Sequence, residues 1–242
     1  MSQPIETLSA AQQIVAQTGI GLPAALNNYV MRDSAAVRAE LGLGTARTVM
    51  GGTVSPFFGA IALTIPVTAG AEAFVGGSPA IMCNVSPTGF WSRRIICGFS
   101  LSPGTLPTGR IIVVQLGKDR TDTTHNVLNS AEKGIGFIVS PTAVTAYYAN
   151  GSVSTNIFTA VNPLTYGRFI VDFVPGVKID TYGVTPTSAT PVLLGTSSVN
   201  LPTGNDLQTN GNQLQIGLFD NTGTIGSAAY TAYVNNVSIS FP

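Results

Sequence analysis

Charged side chains are scarce in this 242-residue chain: they make up 9% of it, against roughly 25% in ordinary soluble domains. Eleven basic residues balance eleven acidic ones, so the formal net charge is zero. The scattered basic residues form no patch that could neutralise several phosphates, so nucleic acid is not an expected partner. A surface so poor in charge has little electrostatic protection against association. We predict that copies of the chain or a larger assembly cover much of it; the alternative is a small-residue β protein that tolerates low charge.

Long apolar runs are also missing. No stretch of about 18 apolar residues is present, so no membrane-spanning helix is expected. The first residues, MSQPIETLS, show no basic segment followed by an apolar one, which is the pattern of a secretory signal. We therefore expect assembly in a cytoplasm and no membrane partner.

Two cysteines and one histidine are too few for a zinc site. Cys83 and Cys97 lie in apolar, strand-like runs, so each is predicted to be a small buried hydrophobic residue. A disulfide between them is the less favoured alternative in a reducing compartment. No cofactor is predicted.

The amino-terminal region has the periodicity of short helices. The pattern predicts helices over 7–17, 24–30 and 35–41, ended by Gly-rich sequence. None is long enough to be stable alone in water, so each must pack on something. We predict that residues 1–48 attach the chain to another protein; the alternative is a helical cap folded on the rest. The predicted attachment contacts are the apolar positions Leu8, Ile14, Val15, Val37 and Leu41.

From Val49 the apolar period changes from that of helices to that of strands, and it stays so to the end. Asn150-Gly151 predicts a hairpin with a type I′ turn, and Pro175-Gly176 predicts a second tight turn. No helix-length pattern separates the strands, which argues against a parallel sheet. The sequence predicts an antiparallel sandwich or barrel over residues 49–242. The predicted strands are 58–65, 81–85, 94–101, 110–116, 136–140, 143–150, 153–158, 166–174, 177–183, 192–194, 213–220 and 229–241.

The junction between the two regions carries a resemblance. The run Leu41, Gly42, Leu43, Gly44, Thr45, Ala46 resembles the junctions of bacteriophage tail fibres, where an attachment region meets a distal module. Arg47 departs from the small residue that is commoner there. The resemblance implies a virion protein that attaches through its amino-terminal region and forms a homotrimer.

The strand pattern of the second half carries another resemblance. A polar loop is followed by GIGFIVS, a YYANG hairpin, YGRFIVDFVPGVKIDTY and a terminal strand containing YVNNVSIS. This order resembles concanavalin-like jelly rolls, including laminin-G-like modules, and implies a jelly-roll β-sandwich. The Greek-key jelly roll of viral structural proteins is the alternative.

The only histidine lies in the most polar segment, residues 117–133. Asp119 and Asp122 lie near His125 and Asn126, so a general base paired with an acid is one interpretation. Their oxygen atoms could also hold calcium, as a loop carboxylate and amide do in concanavalin-like lectins. No nucleophile motif and no calcium-loop spacing accompanies them, so we predict neither catalysis nor a bound metal here. The four residues of this polar loop are instead predicted candidates for binding a ligand.

Three acidic residues on strands are candidates for glycoside hydrolysis, which needs two facing carboxyl groups. These are Asp172, Asp180 and Asp220. Asp172 and Asp180 flank the Pro-Gly turn and alternate with apolar residues, so both are predicted to point to solvent. We therefore predict that the protein is not an enzyme.

Aromatic faces beside amides and carboxylates are what sugar binding requires. The candidates for exposed aromatics are Trp91, Tyr147, Tyr148 and Tyr182. Trp91 follows a Pro-Thr-Gly turn, which places it either at a loop tip or at one end of the core.

Together these features predict a non-enzymatic virion protein of a tailed bacteriophage. In this hypothesis a fibre-like adhesin displays a jelly roll that binds host surface glycan, and residues 1–48 hold it to other virion proteins. The first alternative is a capsid decoration or cement protein that stabilises the head shell. The second is a polysaccharide-degrading enzyme.

Overall fold

The computed structural model describes 27–30, 47–49, 51–57, 60–77, 89–102, 106–118, 127–158, 162, 165–185, 187–188, 190–204, 213–220 and 228–242. These residues form β-strands joined by turns, with one short 3-10 turn at Phe90–Ser92. The strands are β1 Asn27–Val30, β2 Arg47–Val49, β3 Thr53–Phe57, β4 Ala60–Ile65, β5 Glu72–Gly77, β6 Ile95–Ser102, β7 Arg110–Lys118, β8 Lys133–Val139, β9 Val144–Asn150, β10 Ser154–Asn156, β11 Arg168–Val174, β12 Lys178–Val184, β13 Val192–Ser197, β14 Gln213–Asp220 and β15 Tyr230–Phe241.

The strands form two antiparallel sheets that face each other. Sheet 1 has the order β13-β12-β11-β6-β15-β4-β3, with β1 paired to β15. Sheet 2 has the order β10-β9-β8-β7-β14-β5-β2. Neighbours in the sheets are often distant in the chain, which is the mark of a jelly roll rather than a simple meander. The predicted jelly-roll β-sandwich is confirmed.

The long last strand, β15, organises the middle of sheet 1. One edge of β15 pairs with β6 on both sides of a bulge between Asn235 and Ser238. The other edge pairs first with β4 and then, at Ser238 to Phe241, with β1. Bulges bend a strand and increase its twist. The last strand of the chain is therefore hydrogen-bonded to β1 and β4 from the early part of the described chain and to β6 from further along it.

The core lies between the sheets and is rich in aromatic side chains. Phe99 packs edge-on against Phe137 with ring centroids 5.0 Å apart, and Phe169 stacks on Phe99 at 5.6 Å. These three phenylalanines come from β6, β8 and β11, so they join the two sheets. Such contacts add about 0.5–1.5 kcal/mol each beyond the burial of apolar area.

The structure changes one prediction for the amino-terminal region. Residues 27–30, the end of a predicted helix, form strand β1 against β15, so the helix prediction is wrong there. Pairing with an exposed edge of β15 satisfies backbone groups that a short isolated helix leaves to water. The other predicted helices lie outside the described residues, and a domain boundary at residue 48 stays a prediction.

The two predicted hairpins are confirmed, but the first has a different turn. Gly151 has a φ of 93°, while Asn150 does not have the positive φ that a type I′ turn requires. Instead the Asn150 Oδ1 accepts hydrogen bonds from the backbone N–H groups of Ser152 and Val153. These side-chain hydrogen bonds stabilise the turn without a positive φ at Asn150. At the second hairpin Gly176 has a φ of 66°.

Strands β2, β3 and β5 were not predicted. Residues 81–85, a predicted strand, lie outside the described residues. Glycine and proline in TVSPF and EAFVGG weaken the strand pattern. No helix in the described ranges is long and apolar enough to cross a bilayer.

Candidate functional site

Alternating side chains place a polar cluster on the outer face of sheet 1. On β11, Phe169, Val171 and Phe173 point into the core. Asp172 lies between them in sequence and so lies on the opposite face. On β12 the same alternation puts Lys178, Asp180 and Tyr182 together, and the register sets Asp172 opposite Asp180.

The first carboxylate of this cluster is bound by an arginine that immediately precedes β6. Arg94 Nε donates to Asp172 Oδ1 at 2.9 Å, and Arg94 Nη2 donates to Oδ2 at 2.7 Å. This bidentate hydrogen bond raises the pKa of Arg94 above its ordinary value. The Arg94 side chain is 40% exposed and that of Asp172 is 14% exposed, so the pair is accessible from solvent.

The second carboxylate accepts three hydrogen bonds. Thr196 Oγ1 donates to Asp180 Oδ1 at 2.6 Å, and Tyr182 OH donates to Oδ2 at 3.2 Å. The Lys178 ammonium lies 2.6 Å from Oδ2. Burial by itself raises the pKa of Asp180, but the hydrogen bonds from Lys178, Thr196 and Tyr182 outweigh it and hold that pKa below its ordinary value.

An apolar edge adjoins the charged groups. Leu193 on β13 lies directly opposite Tyr182 and is 55% exposed, so both belong to the same outer face. Burial, followed by the nearby Asp180 charge, raises the pKa of Tyr182 above its ordinary value, so it stays a neutral donor at physiological pH. The Asp172–Asp180 surface is defined here as Arg94, Asp172, Lys178, Asp180, Tyr182, Leu193 and Thr196.

The predictions for the three acidic strand residues have different outcomes. Asp180 is 4% exposed, so the prediction that it points to solvent is wrong: its neighbours cover it. Asp220 lies at a fully buried ion pair, with Arg110 Nη1 2.7 Å from its Oδ1. Arg110 Nη2 also donates to the carbonyl of Pro66, so this pair ties strands β7 and β14 to the loop after β4. Asp220 therefore belongs to a buried ion pair in sheet 2 and not to the polar cluster on sheet 1.

The aromatic candidates are mostly inside the protein. Trp91 is 0% exposed and packs edge-on against Phe90 and Phe173, so the prediction of an exposed face is wrong. It fills one end of the core, which was the alternative interpretation. Tyr148 is also buried and donates a hydrogen bond to the Val199 carbonyl.

Tyr147 lies on the outer face of sheet 2, but it too is buried there, so its predicted exposure is wrong. Its hydroxyl donates to Gln115 Oε1 at 2.6 Å, and the Leu128 N–H donates to the same oxygen at 3.1 Å. Gln115 Nε2 in turn donates to Gln215 Oε1. The segment around Leu128 therefore closes this part of sheet 2, and only Tyr182 among the four aromatics reaches a partly open surface.

The remaining predicted site residues lie outside the described residues. They are the polar-loop candidates Asp119, Asp122, His125 and Asn126, and the attachment candidates Leu8, Ile14, Val15, Val37 and Leu41. Their roles stay predictions. Across the described ranges, no three His, Cys, Asp or Glu side chains are grouped to hold a metal ion.

Sequence reasoning missed four members of the surface: Arg94, Lys178, Leu193 and Thr196. The KIDTY spacing places Lys178, Asp180 and Tyr182 at every second position, a signal that was available. Thr196 comes from β13, the next strand along the chain, 16 positions after Asp180. Arg94 lies 78 positions before Asp172, immediately before β6, so only the sheet order brings it to the cluster.

Two solved structures with TM-scores of 0.55 share this fold. One is a protein of unknown function from Shewanella oneidensis MR-1, with 10% identity over 99% of this chain and 96% of that one. The other is an endo-β-1,4-glucuronan lyase from the fungus Trichoderma reesei, with 12% identity over 88% of this chain and 95% of that one. A legume lectin-like domain from Entamoeba histolytica has a TM-score of 0.48 and 12% identity over 80% of this chain and 89% of that one.

At these identities the likeness concerns the fold alone. The shared fold is the two-sheet jelly-roll sandwich, the fold that the resemblance in the second half implied. No protein-family model matches it, and no curated protein matches its sequence.

Proposed function

We propose that this chain is a non-catalytic glycan-binding protein that uses the Asp172–Asp180 surface. One observation carries the proposal: two adjacent carboxylates, two cations, a hydroxyl and a partly open aromatic ring converge on one sheet face. Sugars present hydroxyls that both donate and accept, beside apolar C–H faces, so they match such a mixed surface.

Binding without catalysis is supported by the state of the carboxylates. A general acid in glycoside hydrolysis needs a raised pKa. The hydrogen bonds to Asp180 lower its pKa instead, and both oxygens of Asp172 are engaged by Arg94. A glycan-degrading enzyme remains the second candidate, because a glucuronan lyase shares the fold.

The wider role proposed here is host attachment by a tailed bacteriophage, as a fibre-like homotrimeric adhesin. Its support is the Leu41–Ala46 junction and the low charge of the chain. A capsid decoration protein is the alternative location. Gold-labelled antibody on purified particles tests both: label at tail tips supports the adhesin, label over the shell supports decoration, and particles without label overturn the virion role.

Binding is tested with the full-length chain on a polysaccharide array, followed by calorimetry on any glycan retained. We expect Tyr182→Ala and Asp172→Ala each to weaken binding by about tenfold, the loss of roughly 1.4 kcal/mol of contacts. Val67→Thr, an exposed position after β4, is the matched control and should bind like the wild type. Equal binding by all three variants would place the site elsewhere. Release of reducing ends or unsaturated products from a bound glycan would replace the non-catalytic proposal with the enzyme.

A further inference from the structure

We infer that the Asp172–Asp180 surface selects neutral sugar units with hydroxyls on adjacent carbons and rejects uronates and other anionic sugars. This inference rests on the proposed function and deepens it. It also separates this chain from the structural neighbour named for glucuronan, a polymer of uronate units.

The charges on the surface form two closed pairs. Arg94 donates hydrogen bonds from Nε and Nη2 to Asp172, and Lys178 Nζ lies 2.6 Å from Asp180 Oδ2. Neither cation is left to compensate an incoming carboxylate. A uronate would bring a third negative charge beside two neighbouring carboxylates, which is unfavourable even where solvent screens it.

The same groups suit a hydroxyl well. A guanidinium carries five N–H donors and an ammonium three, so Arg94 and Lys178 keep donors after pairing. Both side chains are exposed, at 40% and 47%, so those donors are within reach of a ligand. Asp172 keeps lone pairs that can accept from the same ligand. Vicinal hydroxyls fit neighbouring donors and acceptors without changing the net charge.

The apolar edge completes the match. Tyr182 and Leu193 lie side by side on the outer face, with Leu193 exposed. The C–H face of a neutral pyranose packs on such a surface, and removal of this area from water favours binding. The polar and apolar halves of the surface thus correspond to the two halves of a sugar ring.

The test compares two ligand classes on the full-length chain by calorimetry. The neutral set contains glucan, mannan and galactan oligosaccharides, and the anionic set contains oligomers of glucuronate, galacturonate and mannuronate. We expect binding only to neutral members, with a Kd that changes less than about twofold between low and physiological salt. Tighter binding to uronates, weakening with salt, would overturn the inference and leave glycan binding intact. Binding to neither set would overturn the proposed function itself.

A variant locates the selectivity. Asp172→Asn has nearly the same shape but frees Arg94, so it should gain measurable affinity for uronates, by about tenfold or more. Glu72→Gln makes the same change of net charge on β5 of the other sheet. A gain in Asp172→Asn alone supports the inference. An equal gain in both variants, or in neither, would overturn the assignment of selectivity to this surface.

Discussion

Asp172 and Asp180 lie directly opposite each other on β11 and β12, and each is paired with a different cation. Like charges at opposed positions of a sheet destabilise it unless they are compensated. Arg94 reaches Asp172 from the position immediately before the adjacent strand β6, and Lys178 reaches Asp180 from two residues away on β12. The sheet thus holds two carboxylates side by side by pairing each with its own cation.

Removing Arg94, the ion-pair partner of Asp172, should lower the stability of the fold modestly. We expect Arg94→Gln to reduce the free energy of unfolding by roughly 0.5–1 kcal/mol, because the pair is partly exposed and screened by solvent. Arg93→Gln, at the exposed neighbouring position, is the control and should have almost no effect. Urea unfolding followed by tryptophan fluorescence measures both. Equal stability of the two variants would show that Asp172 does not need compensation.

The low pKa of Asp180 predicts acid sensitivity. Because the folded-state pKa lies below the ordinary value of 3.8, Asp180 contributes stability above that value, and the contribution is lost as the pH falls through the folded pKa. Asp180→Asn should therefore reduce the slope of unfolding free energy against pH below about pH 4. Thr196→Val, which removes one of its hydrogen bonds, should reduce that slope partly. The same slope in all three proteins would contradict the prediction.

The buried Arg110–Asp220 pair should be the most sensitive polar contact in the described sandwich. Asp220→Ala leaves the Arg110 charge buried without its partner and should cost about 3–5 kcal/mol of unfolding free energy. The double variant Arg110→Met with Asp220→Leu should recover much of that loss, because no unpaired charge remains. Denaturant midpoints of the single and double variants make the comparison. A double variant as unstable as Asp220→Ala would mean that the pair has a packing role beyond charge compensation.

The Cys97 thiol should be inert in the native protein. Burial raises the pKa of this free cysteine from its ordinary value of 9.0 to about 12. Since the thiolate is the reactive form, alkylation at pH 8 should be roughly a thousandfold slower than in the unfolded chain. The measurement uses a Cys83→Ser background, so that only one thiol is present. Rapid labelling without denaturant would show that the small apolar cavity lined by Cys97, Phe99 and Phe137 opens to solvent.

Strand positions followed from local sequence wherever the pattern was strong. The alternation in RFIVDFV and the Pro-Gly turn predicted β11, β12 and their hairpin, because side-chain period and turn chemistry are local properties. The same alternation put Asp172 and Asp180 on the outer face. Weak patterns gave wrong predictions. Strand Glu72–Gly77 was missed because its two glycines weaken the strand pattern. Strand β1 was predicted as a helix from its local sequence, but pairing with β15 determines the structure of so short a segment.

The sequence by itself determined the jelly-roll class, the edges of its main strands and the scarcity of charge. Only the tertiary structure decided which residues share a surface. Burial of Trp91 depends on Phe173, which lies more than eighty positions away in the sequence, and the compensation of Asp172 depends on Arg94, which immediately precedes β6. Local sequence encodes the face to which a side chain points. The sheet order, which long-range strand pairing sets, determines which residues that side chain contacts.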